Sequence, residues 1–299
     1  GMKVLVYGFG YLLEGFDCAM YFSSQGQSVR IVDPGSNDFT LEAEQILRSH
    51  DVEVYKGPIN QDVFKWADLV VKSPSVNLQS SYLKGVSSVE TQMTYFLSSP
   101  EIENVKIIGV MGVNGKSHGA SSIFAGLRAL GKTVHLIGNS GVSAFAELER
   151  WSKGEKPEYV VCELSYSQIR EIYGALSHRL PQIEAFVITD YRKIKSNLDY
   201  NIQQLKVIAS ASKVIIGPQE MKEMITKIEG KSFKNFYGIE SNIHNLSKAV
   251  SPNMAIAYAT LRKIGNSIGN VNRALKAFKG NPNKLEMVGS YGKVMFVND

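Results

Sequence analysis

The sequence predicts an α/β fold built on mainly parallel sheets and divided into two domains. Three observations carry this. Short apolar runs alternate with helix-like patterns along the chain. Two of those runs break into glycine-rich turns that open helices. With 299 residues, 44% of them apolar, the chain holds about two domains at roughly 100–200 residues each.

Lys3–Tyr7 is the first apolar run and breaks into Gly8-Phe9-Gly10. A helix pattern follows around Phe16–Gln25, and a second run, Ser28–Val32, ends at Asp33. Strand, glycine turn, helix and strand in that order form a βαβ unit. Asp68–Val71 reads as a strand, Ser73-Pro74 as a turn and Ser88–Ser98 as a helix, with a boundary at Ser98-Ser99-Pro100. The first domain is therefore placed at 1–98 and the second at 99–299. The second opens on an apolar strand, Val105–Val110, which runs into a turn spanning Gly109 to Ser117. Ile123, Phe124, Leu127 and Leu130 then share one helix face, and Gly131 supplies the stop. Strands are expected again at Thr133–Ile137, Tyr159–Glu163, Ala185–Thr189 and Lys213–Ile216. In such sheets ligands bind beyond the carboxyl ends of the strands.

Composition narrows the function. Lys+Arg 33 against Asp+Glu 28 leaves a formal charge of +5, with no run of like charges to make a nucleic-acid arm or membrane patch. The mild surplus suits steering of an anionic small molecule. Cys18 and Cys162 are far apart and lack CxxC spacing, which excludes a disulfide framework or cysteine zinc site and fits a reducing cytoplasm. No stretch is as long and apolar as a membrane span or signal peptide, and Gly1 before Met2 reads as a tag remnant.

The strongest chemical signal is the turn Gly112-Val113-Asn114-Gly115-Lys116-Ser117. After a strand, successive amides of such a turn form an anion nest and the following helix adds its dipole. The lysine reaches the outer phosphates, and the serine hydroxyl can hold Mg²⁺. The common P-loop spacing asks for glycine at position 110, where Val110 stands, so a tight strand-to-helix turn with an incidental lysine is the other reading. Glu163 ends an apolar strand, so its carboxylate emerges at the carboxyl edge beside that loop. That is where a phosphate-bridging Mg²⁺ needs a hard oxygen ligand, although a solvated strand-end glutamate satisfies the same pattern. In the first domain, Gly8, Gly10, Gly15 and Asp33 make a loose dinucleotide fingerprint with Leu13 at the third glycine position. A nicotinamide or flavin cofactor and a glycine turn without ligand both remain open.

The spacing G-x-x-G-x-N-G-K-S resembles the ATP loop of the Mur ligase family, the ATP-dependent amide-forming enzymes that build the peptidoglycan stem peptide. Further stretches match that family in order. Gly138-Asn139-Ser140-Gly141 resembles its G-N-x-G substrate turn. Glu163 to Gln168 resembles the E-L-S-S-F-Q segment of the D-glutamate-adding member, and Pro252-Asn253-Met254-Ala255 resembles the asparagine-initiated helix beside adenine. Gly280 to Asp299 resembles the end of the central domain.

The resemblance implies a Rossmann-like first domain that grips the UDP of a UDP-muramoyl substrate through Gly8, Gly10, Asp33 and Ser73. It also implies a central P-loop ATPase domain in which Asn139, Ser165 and Gln168 face the muramoyl group. ATP and Mg²⁺ are the implied cofactors, with Ser117 and Glu163 on the metal, Asn253 by the adenine and an amino acid as second substrate. Lys206 matches the family's carbamylated lysine, or is an ordinary exposed helix lysine.

Several positions depart from the pattern. Ser117-His118-Gly119 replaces a pair of hydroxyl residues, so His118 either bonds a phosphate or faces solvent. Thr189 to Leu198 contains no histidine for a second metal. Asn283-Lys284 stands for a histidine–arginine pair, Ser75 for a glycine, and Gly35 for an arginine of the UDP pocket. The chain stops where the family's third domain begins. The expectation is a truncated, divergent ligase that adds D-glutamate to UDP-N-acetylmuramoyl-L-alanine, with a separate third-domain chain as a partner that would complete it. The alternative is a non-catalytic nucleotide- or UDP-sugar-binding protein. An oxidoreductase leaves the Lys116 loop unexplained.

Overall fold

In the computed structural model, residues 1–9, 14–33, 41–73, 81–113, 115–230, 233–239 and 252–279 are described. They fall into two compact units. The first comprises Gly1–Ile102 with Val142–Glu155 and Gly174–Leu176, and the second the remainder from Glu103.

The first unit holds β1 (Lys3–Tyr7), α1 (Glu14–Ser24), β2 (Ser28–Asp33), α2 (Leu41–Ser49), β3 (Glu53–Lys56), α3 (Asp62–Lys65), β4 (Leu69–Lys72), β5 (Val89–Thr91) and α4 (Gln92–Ser98). The five strands form one sheet in the order β3-β2-β1-β4-β5, every pairing parallel. β4 is buried along its whole length, as expected of a strand covered on both faces. Tyr7 packs edge-on against Phe64 at 5.1 Å, and Phe64 stacks on Tyr82 at 5.4 Å.

The predicted helix Ser88–Ser98 is corrected at its start. Val89–Thr91 pairs with β4, because Thr91 is extended (φ −95°, ψ 170°) and closes a capping box with Thr94 that starts the helix at Gln92. The elements α2 and β3 add to those that the sequence pattern predicts.

The second unit contains β6 (Lys106–Met111), α5 (Lys116–Ala129) and β7 (Val134–Ile137); α6 (Ala144–Ser152) follows in the chain but belongs to the first unit. The second unit continues with β8 (Tyr159–Leu164), α7 (Tyr166–Leu176), β9 (Ile183–Ile188), α8 (Arg192–Ser196), α9 (Leu198–Ala211), β10 (Ser212–Pro218), α10 (Gln219–Glu229), β11 (Phe236–Ile239), α11 (Pro252–Lys263) and α12 (Ile268–Lys279). Its sheet runs β11-β10-β9-β6-β8-β7, again all parallel. One apolar core joins β6, β8 and β9 to α5, α11 and α12 through Ile123, Leu127, Tyr258, Leu261 and Leu275.

Gly109, predicted as the start of the turn, lies inside β6. A Cβ there would stand 3.1 Å from Phe186 Cδ2 and 3.2 Å from Leu164 Cδ1 on the flanking strands. Its role is close strand packing, and the turn begins after Met111. The segment 142–155 explains why the unit division differs from a single cut at 98. Phe145 of α6 stacks with Tyr95 of α4 at 5.4 Å and lies 5.4 Å from Phe22 of α1, while Trp151 lies 5.3 Å from Phe96. Ser143 caps α6 and donates to Asp17 Oδ2 at 2.7 Å. Among the described residues no helix is long and apolar enough to cross a membrane.

Candidate functional site

Each sheet places its first strand, β1 or β6, between two others, so both have a topological switch point where ligands are expected. In the second unit, β6 is flanked by β8 and β9. Gly115 caps α5 with φ +77°, and its carbonyl accepts from Gly119 N at 2.7 Å. Lys116 and Ser117 therefore occupy the first turn of a helix whose positive end faces the carboxyl edge. Gly112 has φ +147°, and a Cβ there would fall 2.0 Å from Thr189 Oγ1 and 3.2 Å from Asp190 N. Thr189 in turn donates to Met111 O from both its amide (2.9 Å) and its hydroxyl (3.1 Å). The turn is thus clamped from the β9 side, a contact that no sequence pattern announced.

From the β8 side comes Glu163, only 5% exposed. Its Oε2 accepts from Ser117 Oγ and from Asn139 N, both at 3.1 Å. Its Oε1 is buried without a hydrogen-bond partner. The Gly138–Gly141 turn is shaped around this carboxylate. A Cβ on Gly138, at φ +135°, would lie 2.6–2.8 Å from Glu163 Cβ, Cγ and Cδ, and Gly141 N donates to Gly138 O at 3.0 Å to close the turn. A buried carboxylate with one oxygen unsatisfied, beside a serine hydroxyl at a helix N-terminus, offers the hard oxygens a divalent cation takes. The residues present fit Mg²⁺. Among the described residues there is no cluster of three or more His, Cys, Asp or Glu.

In the first unit, Gly8 (φ +92°), Asp33 and Ser73 all reach the same carboxyl edge. Gly8 N donates to Val32 O, and Ser73 N to Tyr7 O, each at 2.8 Å. A Cβ on Gly15 would sit 2.3 Å from Gly8 O. Gly15 therefore lets α1 pack against the turn, the task a third fingerprint glycine performs, although Leu13 holds that sequence position. Asp33 and Ser73 are buried, as is Lys72, whose Nζ donates to Ser73 O at 3.3 Å. Glu14 and Asp17 line the first two turns of α1. Burial first, then the Asp17 charge, pushes the Glu14 carboxyl up to about 7, and burial raises Asp17 despite the Ser143 hydrogen bond.

Residues 2–94 match the family described as Mur ligase MurD-like, N-terminal domain. Along the full chain, the UDP-N-acetylmuramoylalanine–D-glutamate ligase of Borreliella afzelii is 27% identical, the match covering 100% of this chain and 71% of that protein. The similarity along the chain is to Mur ligases. The corresponding Haemophilus influenzae enzyme is 21% identical over 95% of this chain and 69% of its own length. Among solved structures, UDP-N-acetylmuramate–alanine ligase from Thermotoga maritima superposes with a TM-score of 0.56 at 17% identity, over 93% of this chain and 69% of that one. A murein peptide ligase from Psychrobacter arcticus gives 0.55 at 15% identity, over 93% and 68%. These neighbours share the fold, and the α/β expectation stands.

Other residues expected from the Mur ligase pattern separate into three groups. Ser165 and Gln168 form a capping box at the start of α7: Gln168 N donates to Ser165 Oγ at 3.2 Å, and Ser165 N to Gln168 Oε1 at 2.9 Å. Their side chains thus have a folding task whatever they face. Lys206 carries an ion pair of its own. It lies in the second half of α9, and its Nζ is 2.6 Å from Glu229 Oε2 at the far end of α10. The ammonium pairs with that carboxylate, and a carbamyl group would set like charges together. His118 and Val113 are exposed, the His118 ring facing solvent. Asn253 is the second residue of α11. Gly10, Gly35, Pro74, Ser75, Asn114 and residues 280–299 lie outside the described residues.

Proposed function

We propose that this chain catalyses, or forms the substrate- and nucleotide-binding body for, ATP-dependent joining of an amino acid to a UDP-muramoyl substrate in peptidoglycan precursor synthesis. D-glutamate is the amino acid that its most similar named relatives point to. The observation that carries the reading is Glu163: a buried carboxylate with Ser117 Oγ and Asn139 N on one oxygen and none on the other, set beside the Gly115–Lys116 turn.

The division of labour follows from the two edges. Residues 1–98, with Gly8, Asp33 and Ser73 at one carboxyl edge, bind the UDP end of the substrate. Residues 99–299 bind ATP. The loop amides and Lys116 hold the outer phosphates through the helix dipole and a mobile ammonium. Ser117 and Glu163 hold Mg²⁺, which when bound neutralises charge developing on the phosphate oxygens. The substrate carboxylate is phosphorylated to an acyl phosphate, and the amine of the amino acid displaces phosphate to form the amide. No protein nucleophile is required, so the chain contributes positioning and electrostatic stabilisation. Such chemistry belongs in the cytoplasm, where ATP and UDP-sugars are made.

The test is direct. The full chain is assayed for phosphate release with UDP-muramoyl-alanine, D-glutamate, ATP and Mg²⁺, and for ATP binding by calorimetry with and without Lys116→Ala. ATP binding that Lys116→Ala weakens at least tenfold supports the nucleotide site. Binding without phosphate release supports the non-catalytic alternative, and no ATP binding overturns both.

A further inference from the structure

At the β9 edge the chain carries a charged arrangement that the proposed mechanism has not used. Asp190, 9% exposed, lies two residues beyond β9, and its amide nitrogen borders Gly112, where an added Cβ would come within 3.2 Å of it. Its carboxylate holds Arg192 in a fork. Oδ2 accepts from Arg192 Nη2 at 2.9 Å, both oxygens accept from Nε at 3.3 Å, and Oδ1 accepts from Arg192 N at 2.9 Å. The arginine side chain is nevertheless 69% exposed. Two of its nitrogens bond Asp190, and the Nη1 group bonds no acceptor among the described residues, so a planar donor face is left aimed outward.

The neighbouring Lys193 lies with its Nζ 5.3 Å from the centre of the Tyr166 ring. Tyr166 opens α7 just beyond β8, and Lys193 lies just beyond β9. Since β8 and β9 flank β6, this contact spans the carboxyl end of the strand that feeds the Lys116 turn. It fixes the segment bearing Arg192 at that end. Burial, with Asp190 nearby, pushes the Tyr166 phenol up to about 12, so the ring offers the ammonium a neutral face.

We propose that Arg192 is a phosphate-contacting arginine, braced by Asp190, that engages the outermost phosphate of a nucleoside triphosphate seated in the Lys116 turn. The inference rests on the reading of that turn as a nucleotide site. A triphosphate with one divalent cation keeps a net negative charge that a single lysine leaves unbalanced. A pre-oriented guanidinium is the group suited to bind the remaining oxygens, and to strengthen its hold as charge shifts during phosphoryl transfer.

The experiment compares Mg·ADP with the non-hydrolysable Mg·AMP-PNP by calorimetry on the full chain, for the parent, Arg192→Ala and Arg192→Lys. Arg192→Ala is expected to weaken AMP-PNP by about tenfold to a hundredfold while shifting ADP less than twofold, since hydrogen bonds to a charged partner carry differences of that order. Arg192→Lys, keeping charge without the fork, should fall between. Equal weakening of both nucleotides, or no change in either, overturns the assignment of Arg192 while leaving the nucleotide site intact. Failure of the parent chain to bind ADP overturns the site itself.

Discussion

Replacing Gly138 by alanine tests whether the turn after β7 exists to shape the Glu163 carboxylate. Two penalties follow from the geometry. At φ +135° an L-residue is strained by about 1–2 kcal/mol. The new methyl would also meet Glu163 Cβ, Cδ and Cγ at 2.6, 2.7 and 2.8 Å, atoms near the root of a buried side chain that cannot swing aside, and such overpacking costs about 1–3 kcal/mol. The sum, about 2–5 kcal/mol, lowers the melting temperature of the second unit by roughly 4–20 °C. The control is Gly131→Ala, where φ is +82° and nothing lies within 4 Å, so only the strain of about 1–2 kcal/mol applies. Melting curves compare stability, and calorimetry with ADP, with and without Mg²⁺, compares the sites. Gly138→Ala should also lose most of the Mg²⁺ enhancement of binding, and Gly131→Ala should keep it. If the two variants melt together and bind Mg·ADP alike, the turn has no special relation to Glu163.

Two further outcomes are expected. Glu163→Gln keeps the size of the side chain and can still accept from Asn139 N, so the fold should hold. Its loss of charge should reduce the Mg²⁺ dependence of nucleotide binding by about tenfold or more, and an unchanged magnesium titration would remove Glu163 from the metal site. Glu14 binds its proton more tightly in the folded chain, raised from 4.5 to about 7. The stability this contributes is complete below pH 4.5 and is lost as pH climbs through 7. Because the side chain is partly exposed, about 1–2 kcal/mol is at stake. Glu14→Gln should therefore melt about 2–8 °C above the parent at pH 8 and match it near pH 4.5. Equal melting at both values would mean that the Glu14 carboxylate is well hydrated.

The central strands were legible because burial on both faces writes them as continuous apolar runs: Val4–Val6, Val70–Val71, Ile107–Val110 and Val160–Cys162. Three of the four edge strands were not. β3 reads Glu-Val-Tyr-Lys, β5 has only three residues, and β11 begins with a bulky Phe-Tyr pair but is four residues long; none sustains a period. At the site, the Lys116 turn and the strand-end position of Glu163 were readable because each needs only local order. The clamp of Thr189 on Gly112 depends on β9 lying beside β6, a pairing between segments about 80 residues apart. Ser165-x-x-Gln168 has the spacing of a capping box, which its local order alone explains. The Lys206 ion pair was likewise beyond local pattern, because Glu229 lies on a different helix.

The placement of α6 also bears on the order in which this protein can be made. The aromatic face that Phe22, Tyr95 and Phe96 present is completed by Phe145 and Trp151, which leave the ribosome only after β6, α5 and β7. The first hundred residues therefore wait, with an apolar surface uncovered, until the chain has been synthesised through residue 155. A fragment cut at residue 98 would remain in that waiting state, while one beginning at 99 would carry α6 without its partners. Expression of the two halves should give pieces more aggregation-prone than the intact chain, and grafting 142–155 onto the first half is the repair that this arrangement prescribes.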